Sequence, residues 1–209
     1  MADRKQVGIL IFPAVEVLDF CGPFEVFSVT RLDEAQRRET ESPFQVYTIA
    51  ESADVVTATG GLRVIPDYTL EICPPLEILV VPGGWGTRAA IHREPLLTWI
   101  AERGRKVETL TSVCTGAMLL GKARLLDGHS ATTHWASLDW LEKEFPQVNV
   151  RRDVHVVEEG NLLTSAGISA GIDMALHVVR RYYGEAVARA TARRMEYPYP
   201  DDNSRRVEI

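Results

Sequence analysis

Thr109-Leu110-Thr111-Ser112-Val113-Cys114-Thr115-Gly116-Ala117-Met118-Leu119-Leu120-Gly121 is the stretch that decides how this chain is read. β-Branched and apolar residues from Val107 to Val113, closed off by polar boundaries, predict a buried strand. Small residues and leucines from Thr115 to Ala123 predict a helix packed tightly on a sheet. Cys114 stands at the corner between the two. Unpaired amide N–H groups and the helix dipole favour a thiolate at such a place. The corner has the strand–turn–helix form of a nucleophile elbow, with sulfur in place of a serine hydroxyl. The structural alternative is a small buried cysteine at a tight turn.

Working outward, the strands and helices alternate. Val7 to Phe12 is an apolar run ended by Pro13, a first strand. Apolar residues recur at helical spacing from Val15 to Val29, and Gly22-Pro23 predicts that the helix proper begins there, because proline fits best in a first turn. Arg31 to Ser42 is highly charged and reads as an exposed loop. Phe44 to Ala50 is a second strand. Val55-Val56 and Leu62 to Ile65 flank a Gly-Gly turn and read as a hairpin. Leu76 to Val81 is a buried strand closed by Pro82-Gly83-Gly84, and Glu94 to Arg103 is a helix with Pro95 in its first turn. Beyond the elbow, Val154 to Val157 and Leu162 to Ser165 form a hairpin, followed by helices over Ile168 to Tyr182 and Glu185 to Met195. This order predicts one α/β domain spanning 1–209, a doubly wound, mostly parallel, flavodoxin-like sheet sandwiched by helices.

Composition narrows the function classes. The 209 residues, 45% hydrophobic and 25% charged, fit a single globular core. A net charge of −6 argues against non-specific binding to nucleic acid. Cys21, Cys73 and Cys114 are odd in number and too widely spaced for a disulfide framework or a common zinc pattern. No apolar run reaches the roughly 20 residues of a membrane span. Met1 to Gln6 leads straight into a strand without a signal-peptide pattern. These features predict a cytoplasmic enzyme of modest size.

Open α/β folds place their sites at the carboxyl ends of the strands. Three segments are expected to meet there: Val17-Leu18-Asp19-Phe20-Cys21-Gly22-Pro23, Val81-Pro82-Gly83-Gly84-Trp85-Gly86, and the elbow. Asp19 lies in apolar sequence. It reads either as a helix N-cap or as a carboxylate facing the thiol, its pKa raised by burial. Gly84 and Thr115 are expected to turn their backbone N–H groups into an oxyanion hole. His134 is expected to orient the helix that follows rather than to act as a base. Asp173 is expected to be a satisfied buried acid, and Cys21 a small buried residue. The other histidines show no metal-like spacing, and neither a Walker A motif nor a dinucleotide fingerprint is present, so no metal or cofactor is expected.

Together, Leu18-Asp19-Phe20-Cys21-Gly22-Pro23, Val81-Pro82-Gly83-Gly84, Ser112-Val113-Cys114-Thr115-Gly116-Ala117, Ala131-Thr132-Thr133-His134-Trp135 and the run from Gly160 to Asp173 resemble the PfpI/ThiJ superfamily, the class I glutamine-amidotransferase-like fold, over nearly the whole chain. The isocyanide hydratase branch and the sensor domains of AraC-type regulators are the most similar. The resemblance implies Asp19 and Cys114 as a catalytic pair, conversion of small isocyanides to N-substituted formamides, and a homodimer. Phe20, Phe24, Val26 and Phe27 supply an apolar surface suited to a two-fold contact. Thr115 replaces the histidine that follows the cysteine in the proteolytic and deglycase-like branches, which argues against peptidase chemistry. Two alternatives stand beside the hydratase: a non-catalytic ligand-sensing domain, which in a chain ending at Ile209 has no helix-turn-helix of its own, and an oxidation sensor in which Cys114 becomes a sulfinic acid.

Overall fold

Hydrophobic runs that are apolar on both sides need helices on both sides to bury them, and the chain supplies them in alternation. A computed structural model describes residues 4–207. It opens with β1 (Lys5–Leu10), α1 (Val17–Val29) and β2 (Phe44–Ala50). A small antiparallel pair follows, β3 (Val56–Thr57) with β4 (Arg63–Val64), and then the short β5 (Tyr68–Thr69). Next come β6 (Ile78–Val81), the one-turn α2 (Thr87–Ala90), α3 (Glu94–Gly104), β7 (Thr109–Val113) and α4 (Gly116–Lys122). The last third holds β8 (Ser130–Ala131), α5 (Leu138–Glu144), β9 (Asn149–Val150), β10 (Val156–Glu159), β11 (Leu162–Ser165), α6 (Ala170–Tyr183) and α7 (Glu185–Arg194).

The seven-stranded sheet runs β10-β11-β7-β6-β1-β2-β5. All of its pairs are parallel except β10 with β11, which is the hairpin the sequence predicts. Every residue of β6 and β7 is buried. Of the polar members of β7, Thr111 donates to the Leu79 carbonyl at 3.1 Å and Thr109 pairs with the Tyr182 hydroxyl at 2.9 Å, while the Ser112 hydroxyl is buried without a partner. Helices α1, α6 and α7 pack together, and α2, α3 and α5 pack around α4. Among the described residues no helix is long and apolar enough to cross a membrane.

Strand order reverses beside β1. The chain moves outward through β2 and β5, then returns to the other side of β1 as β6. A doubly wound sheet opens its ligand crevice at such a point, outside the carboxyl ends of the strands. The loops after β1, β6 and β7 therefore converge.

The first helix differs from the sequence expectation. It starts at Val17, not near Gly22, and keeps Pro23 inside. Proline there removes the hydrogen bond that would reach the Asp19 carbonyl. Tertiary packing offsets the loss, because α1 closes on α6 along Gly22-Pro23 and Gly171-Ile172. The same packing buries Phe20, Val26 and Phe27 within the chain, leaving Phe24 and Leu18 partly exposed. The apolar surface invoked for a homodimer is thus largely consumed by the protein's own fold, and the dimer expectation rests on the resemblance alone.

Candidate active site

Cys114 occupies the corner between β7 and α4 with φ of 55°, a left-handed conformation that a residue with a side chain adopts only under constraint. The constraint is visible. Its N–H is shared between the carbonyls of Ser165 and Ala166 at 3.2 and 3.1 Å, and its carbonyl accepts from the Thr133 hydroxyl at 2.7 Å. The end of β11 and the Thr132-Thr133 segment therefore hold the elbow from outside. Thr133 was not legible as a site residue. Its segment carries the resemblance, but nothing in the sequence says that its hydroxyl anchors the nucleophile's backbone.

The Pro82-Gly83-Gly84 turn fills the space between the loop after β1 and the elbow. A side chain on Gly83 would strike the Thr115 hydroxyl and the backbone of Thr115 and Gly116. Gly84, at φ of 125°, lies against the backbone of Ala14 to Glu16. Only glycine meets both demands, close backbone approach and positive φ.

The Gly84 amide does not face the site as expected. It donates to Thr115 Oγ1 at 2.9 Å, and that hydroxyl also bonds Thr87 Oγ1 at 2.9 Å. A Thr115 side chain with two polar loops to join captures the amide, so Gly84 leaves the oxyanion assignment. The Thr115 N–H stays directed at the sulfur, where it favours the anionic form.

Asp19 sits in the first turn of α1 and is fully buried. It is not the N-cap, a position held by Glu16. Its Oδ2 accepts the Gly83 N–H at 3.0 Å, while Oδ1 is buried with no hydrogen-bond partner. Burial, opposed by the Gly83 bond, raises its pKa from 3.8 to about 8. At neutral pH this carboxyl holds its proton, and it lies close enough to Cys114 for each group to perturb the other.

That closeness overturns one expectation. The thiol is not acidified. Burial pushes Cys114 up, and an ionised Asp19 beside it adds to the rise, while the Thr115 donors only partly oppose them. Helix α4 is a seven-residue segment, and its amide donors are too few to offset desolvation of a sulfur anion. The resting pair is a carboxylic acid beside a thiol. Iodoacetamide labelling of Cys114 is therefore expected to be slow at pH 7 and to accelerate with rising pH. Above pH 8, where Asp19 ionises, Asp19→Asn should label faster than the parent. Peptide mass spectrometry reads this directly, and rapid labelling of Cys114 at pH 6 would show that a thiolate rests there after all.

A cavity of about 230 Å³ opens over the sulfur, lined in part by Glu16, Trp85, Arg88, Thr115, His134 and Ile168. Gly167 backs it, and a side chain there would collide with both the His134 ring and Cys114 Sγ. His134 Nδ1 accepts the Ala136 N–H at 3.3 Å and so starts the turn into α5, the orienting role that the sequence predicts. Burial lowers its pKa, with Arg205 adding to the effect. Trp85, Arg88 and Glu16 escaped sequence reasoning because a tryptophan after a glycine turn and two charges in loops have no pattern that marks a cavity wall.

The remaining candidates lie elsewhere. Asp173 is buried and partnered, with His155 Nε2 at 3.0 Å, Arg206 Nη2 at 2.8 Å and the Tyr197 hydroxyl at 2.9 Å. The first two are ion-pair approaches without hydrogen-bond alignment, so charge rather than direction carries them. Cys21 is half-buried against the core and Cys73 is buried. Among the described residues no three His, Cys, Asp or Glu side chains gather as a metal-binding group.

Known proteins are similar to this chain in sequence and fold. The chain is 36% identical to the isonitrile hydratase of Pseudomonas putida, over 95% of this chain and 82% of that protein. It is 30% identical to the HTH-type transcriptional regulator GbdR of Pseudomonas aeruginosa, over 74% of this chain but only 41% of the regulator. Among solved structures it superposes on a ThiJ/PfpI family protein from Pseudomonas syringae with a TM-score of 0.82 and 33% identity, covering 96% of this chain and 78% of that one. The model of the DJ-1/PfpI family matches residues 5–181, from the first strand through the elbow and into α6. With fold, elbow and extent in agreement, the chain belongs to the DJ-1/PfpI family.

Proposed function

We propose that this protein hydrates small isocyanides to N-substituted formamides, with Cys114 as nucleophile and Asp19 as proton donor. One observation carries the reading: a fully buried carboxyl that keeps its proton at neutral pH stands beside a thiol that lines a small cavity. The 36% identity to an isonitrile hydratase supports it.

The chemistry balances within these groups. Sulfur bonds to the terminal isocyanide carbon as Asp19 gives that carbon its proton, and the resulting carboxylate takes the proton from the thiol. The product of this step is a thioimidate, R–N=CH–S–Cys114. The Thr115 N–H steadies negative charge on sulfur as the bond forms and again as it breaks. Asp19 then assists addition of water across the C=N bond, the hydroxyl going to the same carbon and a proton to nitrogen. Collapse forms the formamide C=O, breaks the C–S bond and returns the proton to sulfur. Net, one isocyanide and one water give one formamide.

The test is turnover of cyclohexyl isocyanide by protein treated with a chelator, with formamide followed by chromatography. Formamide well above the buffer rate is expected. No product above background would end the hydratase reading. A second reading, a ligand-sensing domain, draws on the similarity to the regulator GbdR. Saturable binding of a small molecule together with absent turnover would favour it. Oxidation sensing draws less support, because a thiol held protonated by burial is slow to oxidise.

A further inference from the structure

The cavity over Cys114 holds a cation that the proposed reaction leaves unused. Arg88 lines the wall, and its guanidinium lies 4.3 Å from the centre of the Trp85 ring and 5.6 Å from that of Trp140. Some surface arginines are answered by carboxylates, Arg37 by Glu34, Arg152 by Asp139 and Glu142, Arg189 by Glu185, and others such as Arg63 and Arg193 are not but stand away from the cavity. Among the described residues Arg88 has no such partner, and its side chain makes no hydrogen bond. Five N–H donors in a rigid fork are left for a ligand, and stacking on two indoles fixes their direction in advance. Trp85 itself is 68% exposed, a large apolar face left at the rim.

The cavity is also polarised. Glu16, its other charged wall, is the N-cap residue of α1 three positions before Asp19, and its N–H donates to the Gly83 carbonyl at 2.9 Å, so it belongs to the end that holds the nucleophile. Arg88 sits with Trp85 at the rim, on α2. An isocyanide that offers its terminal carbon to Cys114 directs its nitrogen substituent away from Glu16. At about 230 Å³ the space suits a small substituent, well below the roughly 300–1,000 Å³ of pockets that take drug-sized ligands.

We infer that the substrates are small isocyanides whose nitrogen substituent carries a carboxylate, held by Arg88 in a forked pair while the carbon skeleton lies against Trp85. This rests on the hydratase reading for the reacting group, but the recognition of the carboxylate is testable without it. A planar carboxylate matches the guanidinium fork, which makes Arg88 a specificity-determining residue.

The experiment has two arms. In the first, kcat/KM is compared for 4-isocyanobenzoate and phenyl isocyanide in the parent, in Arg88→Gln and in Arg88→Lys. The parent should prefer the anion at least about tenfold, Arg88→Gln should bring the ratio close to one through KM, and Arg88→Lys should restore part of it. In the second arm, binding of 4-formamidobenzoate and formanilide is followed by tryptophan fluorescence in the same proteins. The anion should bind the parent at least about tenfold more tightly, and Arg88→Gln should remove the difference. A parent without preference in either arm, or a preference that survives Arg88→Gln, overturns the inference. Absent turnover of both isocyanides with anion-selective binding intact would sink the hydratase reading and leave the carboxylate site standing.

Discussion

Cys114→Ala is expected to lower isocyanide turnover by at least about 10³-fold, because no other group on the cavity wall is a nucleophile as soft as the thiol. Thr115 is the neighbouring hydroxyl, but its oxygen is already engaged with Gly84 and Thr87. The change should leave the fold intact. Cys114 is a small side chain at the edge of the core, and alanine bears the positive φ no worse than cysteine does. Loss of the sulfur leaves little empty space, so destabilisation should stay near about 1 kcal/mol. The measurement is formamide release alongside a melting curve. A variant that keeps a tenth of the parent rate would remove the covalent step, whatever its stability.

Asp19→Asn is expected to move rate and stability in opposite directions. The amide keeps the shape and can still accept the Gly83 N–H, but it has no proton to deliver. The rate should fall by roughly 100-fold or more, the usual scale for a lost general acid. In the parent, kcat/KM should decline as pH rises through about 8, since the acid must be protonated to act. Stability has the opposite sign. Between the unfolded value of 3.8 and the folded value of about 8, the native state holds one proton more than the unfolded chain. Parent stability therefore falls as pH rises across that window and levels off above it. Asparagine removes this dependence. At pH 7 the parent carries a penalty on the order of 4 kcal/mol, at about 1.4 kcal/mol for each of some three pH units. The variant should melt at a higher temperature than the parent at pH 7 to 9, and the gap should close near pH 4. An unchanged or lower melting temperature at pH 8 would mean that Asp19 is ionised in the folded protein. Such an inversion, a stabilised but slower enzyme, is what strain stored at a functional site looks like.

Much of the architecture is written in local pattern. The runs Ile78–Val81 and Thr109–Val113 are buried along their whole length and can only be inner strands of a covered sheet, and glycines at 83 and 84 mark a turn that other backbone approaches. Alternation of such strands with helical segments dictates a doubly wound sheet, and that fold sends the ends of β1, β6 and β7 to one place. The meeting of Asp19, the Pro82-Gly83-Gly84 turn and Cys114 was legible for this reason. Of the short elements, the β3–β4 hairpin was legible from its Gly-Gly turn and others were not. β8, β9 and α2 are two to four residues long, and only contacts from distant segments make them regular.

The start of α1 shows the same limit in a longer element. Pro23 is a helix breaker by local rule, yet packing against α6 carries the helix through it. Electrostatics depended on the third dimension most of all. A cysteine before a helix predicts a thiolate, and an amide after Pro-Gly predicts a free donor. The folded chain reverses both, because burial of the sulfur beside Asp19 outweighs a few amide dipoles and because the Thr115 hydroxyl takes the Gly84 N–H. Sequence by itself determined which residues meet, since strand order and loop position follow from hydrophobic period. Only the tertiary structure decided which of them are charged and which donors are free, since desolvation and hydrogen-bond competition are set by neighbours far away in the chain.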